Sequence, residues 1–197
     1  MRLIAVIITI LFTLFYGSLE IIKRKFNLHA EYTRKLAHCF SGIGALFSSF
    51  FLKQDEFLEI VFFFLLIFTL LYSKKSLKSI SLKNRKTFGE IAYPLGLASL
   101  AYFVYHQHKI FIYGLLLLSF PDTLAGLIGR HFNPKRKTLA GSLAYFLSTL
   151  IIFATGFPWN TSLPFAILLT FIEYISPYGL DNFSIPLVYS LLATQLF

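Results

Sequence analysis

Residues 109–142 read KIFIYGLLLLSFPDTLAGLIGRHFNPKRKTLAGS, and they decide the fold. From Ile110 to Gly129 the run is apolar except for small hydroxyls and one carboxylate, Asp122. Its length matches the ~20 residues that an α-helix needs to cross a bilayer. The run then leaves through Gly129-Arg130 into a basic loop carrying Lys135, Arg136 and Lys137, and a new apolar segment starts at Leu139 behind Ala140, Gly141 and Ser142. Ionisable groups at membrane depth are costly and default to a functional reading. An acid in an apolar helix, followed by cations at its end, suggests metal and phosphate chemistry.

The rest of the chain repeats that apolar pattern. With 56% hydrophobic residues and 24 Phe in 197 residues, it carries more apolar surface than a soluble domain of this size can hide. Eight apolar segments are predicted, at 3–22, 36–52, 57–72, 91–105, 110–129, 139–156, 163–175 and 185–197. The fourth and the last two are short, which leaves seven crossings open. The expected fold is an all-α, polytopic transmembrane bundle of seven or eight helices forming one domain, 1–197. The first run, MRLIAVIITILFTLFYGSLEII, is too long for a signal-peptide core, lacks a small-residue cleavage site and ends in Lys23-Arg24-Lys25, so it reads as a retained helix. The single cysteine, Cys39, excludes internal disulfides and offers no metal framework.

Charge sets the orientation. Of the 18 Lys and Arg residues, 15 fall in three odd-numbered loops: Lys23, Arg24, Lys25, Arg34 and Lys35; Lys74, Lys75, Lys78, Lys83, Arg85 and Lys86; and Arg130, Lys135, Arg136 and Lys137. Only Arg2, Lys53 and Lys109 lie elsewhere. The positive-inside rule then places the odd loops in the cytoplasm and the N-terminus outside, in a cell inner membrane. This distribution also accounts for the net charge of +9 without nucleic acid. On the outer side Trp159 suits an interfacial anchor. His106 and His108 are too few to make a metal site alone. Asn160-Thr161-Ser162 would matter only in a eukaryotic secretory compartment.

The polar residues at membrane depth share the cytoplasmic side. Glu20 closes the first segment, and Arg34, Lys35 and His38 open the second, Arg34 and His38 on one helical face. Glu90 opens the fourth segment near Pro94. Asp122 lies seven residues before Gly129, about 10 Å below the interface, and Pro121 before it predicts a broken helix whose freed backbone lines a cavity. Glu173 lies near the end of the seventh segment, with Asp181 and Asn182 in the loop beyond. Helix capping would explain Glu20, Glu31 and the cations of 74–86; Asp122 has no cheap solvent at its depth.

Phosphoryl transfer needs carboxylates for Mg²⁺, cations for phosphate oxygens and a group to position the nucleophile. Asp122, Glu173 and Asp181 supply candidates for the metal and for catalysis. Arg34, Lys35, Arg130, Lys135, Arg136 and Lys137 supply the cations. Gly141 and Ser142, at a helix start, offer backbone N–H groups to a phosphate. GxxxxGK[ST], GxGxxG and the kinase loops are all missing. On these residues alone the expectation is a cytoplasm-facing anion site in a membrane bundle.

PDTLAGLIGRHF followed by KRKTLAGS resembles the CTP-dependent diacylglycerol, phytol and polyprenol (dolichol) kinases. That family carries Asp-x-x-Ala-x-x-x-Gly-Arg-x-Phe and then Lys-Ser/Thr-x-Ala/Glu-Gly-Ser/Thr. The matching positions are Asp122, Ala125, Gly129, Arg130 and Phe132, then Lys137, Thr138, Ala140, Gly141 and Ser142. Arg34-Lys35-Leu36-Ala37-His38 resembles the family's early Arg-Lys-x-x-His. Glu173 with Asp181-Asn182-Phe183-Ser184-Ile185-Pro186 resembles its C-terminal Glu…Asp-Asn-x-x-x-Pro, and Gly89-Glu90 with Tyr93-Pro94 is similar to a further element. The resemblance implies transfer of the γ-phosphate of CTP to a lipid hydroxyl, with Mg²⁺ or a similar divalent ion. It also implies that Arg34, Lys35, His38, Arg130, Lys135, Lys137, Thr138, Gly141, Ser142 and Asn182 face the nucleotide. Ala140 looks closer to the diacylglycerol and phytol branch, and Gly126 stands where some relatives place a second Asp. Phosphatidate cytidylyltransferases share a similar central region, yet their C-terminal His-Gly-Gly…Asp-Arg signature is missing here. A small transporter would need polar groups continuing to the outer side, and a purely structural protein would need none. The acceptor lipid and the oligomeric state stay open.

Overall fold

The computed structural model describes residues 2–73, 87–133 and 137–196, with only the backbone of Glu31. These residues form eight helices and no strands: α1 Arg2–Phe26, α2 Ala30–Ser49, α3 Gln54–Ser73, α4 Gly89–Val104, α5 His108–Phe132, α6 Leu139–Ala154, α7 Trp159–Ile175 and α8 Asp181–Leu196. Each predicted segment is a helix, generally extended by a turn into polar sequence. Three of them, α1, α3 and α5, are long and apolar enough to cross a membrane. The basic loop at 74–86, Lys135 and Arg136 lie outside the described residues.

Helices α4 and α5 form the centre. α4 packs on α3, α5 and α8; α5 packs on α2, α6 and α8; and α1 packs chiefly on α2 and α3. α4 is buried along most of its length, whereas Leu19 is the one fully buried residue of α1. Where lipid replaces water, apolar area no longer drives helix pairing, so close backbone approach and packing must do so. Gly96 of α4 meets the backbone of α8: a Cβ there would sit 2.1 Å from the Asn182 carbonyl oxygen. Gly129 of α5 and Gly141 of α6 cross in the same way, a Cβ on Gly141 falling 2.9 Å from the Ala125 carbonyl. Phe111, Phe153 and Tyr189 fill the space between the central helices, and the Tyr189 hydroxyl donates to the Ile110 carbonyl.

Antiparallel order puts the connections α1–α2, α5–α6 and α7–α8, with the start of α4, at one end of the bundle. At the other end Gln54 Nε2 donates to the Ala101 carbonyl, Tyr105 Oη to the Leu52 carbonyl and Lys109 Nζ to the Gly156 carbonyl. The α7–α8 turn is held by two left-handed residues, Tyr178 at φ 56° and Gly179 at φ 81°. A bulky residue adopts that conformation only when its surroundings fix it. Here the Tyr178 carbonyl accepts from Phe88 N–H and Thr87 Oγ1, tying the turn to the start of α4.

The expected break at Pro121 does not occur, and α5 runs unbroken to Phe132. Proline inside a membrane helix is tolerated where side-chain hydroxyls and packed neighbours compensate for the missing N–H. Ser119 donates back to the Leu115 carbonyl and Thr123 to the Ser119 carbonyl, so hydroxyls flank the proline on both sides.

Candidate active site

The basic end of the bundle gathers buried polar groups from α2, α4, α5, α7 and α8: Arg34, Lys35, His38, Glu90, Asp122, Glu173, Asp181 and Asn182. Buried charges persist only when paired, and here the pairing divides into two clusters.

The first cluster joins α2 to α5. Lys35 Nζ donates to Asp122 Oδ2 at 2.7 Å and to the Asp122 backbone carbonyl at 2.7 Å. His38, one turn further along α2, turns Nδ1 toward the same carboxylate oxygen at 3.5 Å. The His38 ring lies against Tyr93 of α4, with centroids 4.6 Å apart, and Tyr93 Oη donates to the His38 carbonyl at 3.0 Å. Lys35 reaches Asp122 across Gly126, where a Cβ would fall 2.3 Å from Lys35 Cε. The missing side chain at 126 is therefore what seats Lys35.

The second cluster joins the entry to α6, the end of α7 and the start of α8. Lys137 Nζ lies 2.7 Å from Glu173 Oε1 and 2.7 Å from Asp181 Oδ2, and it also donates to the Glu173 backbone carbonyl. The other Glu173 oxygen accepts from Ser142 Oγ at 3.1 Å. Burial penalises the charged form of Lys137, but the Asp181 and Glu173 carboxylates outweigh that and hold its pKa above the ordinary lysine value. Thr138 caps α6, its Oγ1 accepting from Gly141 N–H at 3.1 Å. The Ser142 N–H is bonded to the Thr138 carbonyl. The backbone amides of Gly141 and Ser142 are thus committed inside the first turn of α6, a correction to their expected role as phosphate donors; Ser142 reaches the site through its hydroxyl instead.

Between the clusters lies Asn182, with 2% of its surface exposed. Neither its Oδ1 nor its Nδ2 has a hydrogen-bond partner among the described residues. A buried amide without partners is unfavourable, so both its donor and its acceptor are open to a further hydrogen-bonding group. Its neighbours are the small Gly89, whose Cβ position would lie 3.3 Å from Asn182 Nδ2 and 3.4 Å from Arg34 Nη1.

Of the other expected residues, Arg130 stands apart. Its Nη2 lies 2.7 Å from His29 Nε2 and its guanidinium lies over the Tyr32 ring, at the rim formed by the α1–α2 turn. Glu20 bonds Arg24 on the surface of α1. Lys135 lies outside the described residues. Among the described residues no three His, Cys, Asp or Glu side chains converge as a ligand set; Glu173 and Asp181 meet, and Asp122 is held separately by Lys35.

Two participants escaped the sequence reading. Tyr145, fully buried on α6, feels the charges of Asp122, Glu173 and Asp181 together. Ser119 lies one turn before Asp122 and packs against Gly42 of α2. Helical spacing from Ser142 and Asp122 was the available signal for both. No protein-family model, curated protein or solved structure matches the chain.

Proposed function

We propose that this chain is a CTP-dependent lipid kinase of the inner membrane, moving the γ-phosphate of CTP to the hydroxyl of a lipid alcohol at the cytoplasmic face. One observation carries the reading. Residues of four separated motifs, Arg34 to His38, Gly89-Glu90, Asp122 with Lys137 and Ser142, and Glu173 to Asn182, gather in two polar clusters at the same end of the bundle. Among the described residues, Lys23, Arg24 and Lys25 at the end of α1, Arg130 at the end of α5 and Lys137 before α6 lie at that same end, which supports a cytoplasmic site and an outward N-terminus.

The transfer breaks the bond between the γ-phosphorus and the β–γ bridging oxygen and forms one to the lipid hydroxyl oxygen. CDP leaves, and the hydroxyl proton passes to Asp122. In such transfers the protein mainly positions groups and neutralises charge. Lys35 and His38 hold the Asp122 carboxylate in place to receive that proton. Lys137, Arg34 and, from the rim, Arg130 are the cations for the phosphates, and the idle Asn182 amide offers a donor and an acceptor to the nucleotide. Glu173 and Asp181 fit Mg²⁺: two carboxylates already cage one cation, the Lys137 ammonium, and Mg²⁺ commonly takes one or two carboxylates plus substrate phosphates. Bound there, the ion would supply neutralisation of charge on the phosphate oxygens.

The deciding experiment gives purified protein CTP, Mg²⁺ and a panel of isoprenoid alcohols and diacylglycerol. CDP and a phosphorylated lipid are the expected products. Pyrophosphate formed from CTP and phosphatidate, without CDP, would replace this reading with a cytidylyltransferase.

A further inference from the structure

Lys137 sits against three oxygens at once. Its Nζ lies 2.7 Å from Glu173 Oε1 and 2.7 Å from Asp181 Oδ2, and it donates to the Glu173 backbone carbonyl. An ammonium has three N–H donors and no acceptor, so these oxygens use all of it. The other two carboxylate oxygens are bound as well, Glu173 Oε2 accepting from Ser142 Oγ and Asp181 Oδ1 from the Asn182 N–H. The pair of carboxylates can therefore take a second cation only in place of Lys137. Charge favours such an exchange. Two acids against one ammonium leave one negative charge in excess, although the Glu173 and Asp181 side chains are only 7% and 8% exposed. A buried charge without compensation is costly, and a divalent ion would balance both carboxylates.

We propose that Lys137 is a resident counter-ion that gives up its place between Glu173 and Asp181 to a divalent cation and moves onto the nucleotide phosphates. The proposal rests on the kinase reading for the phosphates that receive the ammonium. The two buried lysines of the site differ in their freedom to make such a move. Lys35 belongs to α2, is 3% exposed and is held by both the carboxylate and the carbonyl of Asp122. Lys137 precedes the α6 cap, Thr138, whose backbone is extended, and its side chain is 22% exposed, the most open of the three charged groups in its cluster. A lysine ends a flexible four-carbon stem, so this one can swing outward without unwinding a helical turn. The oxygens it leaves suit its successor. Mg²⁺ takes oxygen ligands in an octahedron and commonly binds one or two carboxylates, with water and substrate phosphates at its other positions.

The test uses the whole protein in detergent micelles with Mn²⁺ as the probe. Bound Mn²⁺ is measured by the loss of the free ion's paramagnetic resonance signal. Lys137 is followed by acylation with an N-hydroxysuccinimide ester and mass spectrometry, with the exposed Lys25 as the reference. Lys137→Met should bind Mn²⁺ at least about tenfold more tightly than the unaltered protein, a usual size for coupling between sites. That gain should disappear when Glu173→Gln is added, and Lys137→Arg, which keeps the charge, should not show it. In the unaltered protein saturating Mn²⁺ should raise Lys137 acylation, and CDP added with Mn²⁺ should lower it again. Equal Mn²⁺ affinity in Lys137→Met overturns the proposal, as does Lys137 acylation that saturating Mn²⁺ leaves unchanged. Acylation that stays high with CDP overturns the move onto phosphate. Acylation of the unaltered protein decides even if Lys137→Met fails to fold. Exchange without CDP formation from CTP would remove the kinase reading and leave the exchange of cations standing. CDP formation without exchange would do the reverse.

Discussion

Lys35 is 3% exposed and Asp122 9%, so each charge depends on the other for its place in the protein. Removing one partner of such a pair leaves an uncompensated buried charge, at a cost of about 3–5 kcal/mol. Asp122→Asn should therefore both stop CDP formation and lower the thermal midpoint in detergent. Replacing both partners, Lys35→Met with Asp122→Leu, should recover much of the stability and none of the activity. If the double variant regains activity, Asp122 is a structural counter-ion and nothing more. Gly126 offers a finer probe of the same pair. A Cβ there meets the flexible end of Lys35 rather than backbone, so Gly126→Ala should fold while displacing the ammonium from Asp122, with a loss of stability smaller than that of Asp122→Asn because both charges remain to attract each other. Turnover should fall by about tenfold or more, the equivalent of about 1.4 kcal/mol of lost positioning. Unchanged turnover would mean that the contact between Lys35 and Asp122 does not matter to the reaction. Gly126, which in the sequence looked like a missing second carboxylate, is thus the opening through which Lys35 reaches the first.

At the scale of elements, Lys137 fastens the entry of α6 to the end of α7 and the start of α8, and Thr138 caps the helix beside it. Losing such a cap costs typically about 1 kcal/mol, so Thr138→Ala should show a modest fall in stability by thermal denaturation and a larger loss of turnover as Ser142 and Lys137 shift together. Because its carboxylate neighbours raise the Lys137 pKa, the clamp is fully present below the ordinary lysine range. It is lost as pH rises through the elevated folded value, above about 10.5. Stability attributable to the clamp should accordingly be flat through neutral pH and fall only in strong alkali; a fall near neutrality that vanishes in Lys137→Met would contradict this. The same elements show what could be read without coordinates. Helix positions followed from runs of apolar residues and punctuating Gly, Pro and charges, because those signals are local. Two local readings still failed: Pro121 does not break α5, since the hydroxyls around it and the packed neighbours hold the backbone, and the amides of Gly141 and Ser142 go to their own cap. The division into Lys35–Asp122 and Lys137–Glu173–Asp181 was not legible at all, because each pair joins helix ends brought together only by packing.

For the molecule as a whole, what must be decided is whether the chain crosses the membrane seven or eight times. α8 begins at the polar end, where Asp181 meets Lys137, and Tyr189 two turns along already donates to the carbonyl of Ile110, at the start of α5. α8 also packs beside α4 for much of its course, so the two helices share the same depth of the bundle, and eight crossings are the expected count. Eight passes would place the start of α1 and the end of α8 opposite the buried charges, on the side that the proposed orientation puts outside. Cys39 is the single cysteine, so a Cys39→Ser background allows the geometry to be measured with introduced thiols. A membrane-impermeant maleimide should label His106→Cys and a cysteine appended after Phe197 on intact cells. It should reach Asn133→Cys, at the end of α5 beside the polar site, only after permeabilisation. Labelling of His106→Cys and the C-terminal cysteine on opposite sides would mean seven crossings, with α8 not traversing the bilayer. Labelling of Asn133→Cys from outside would place the site where no CTP is found and would end the kinase reading, whatever the arrangement of the residues in it.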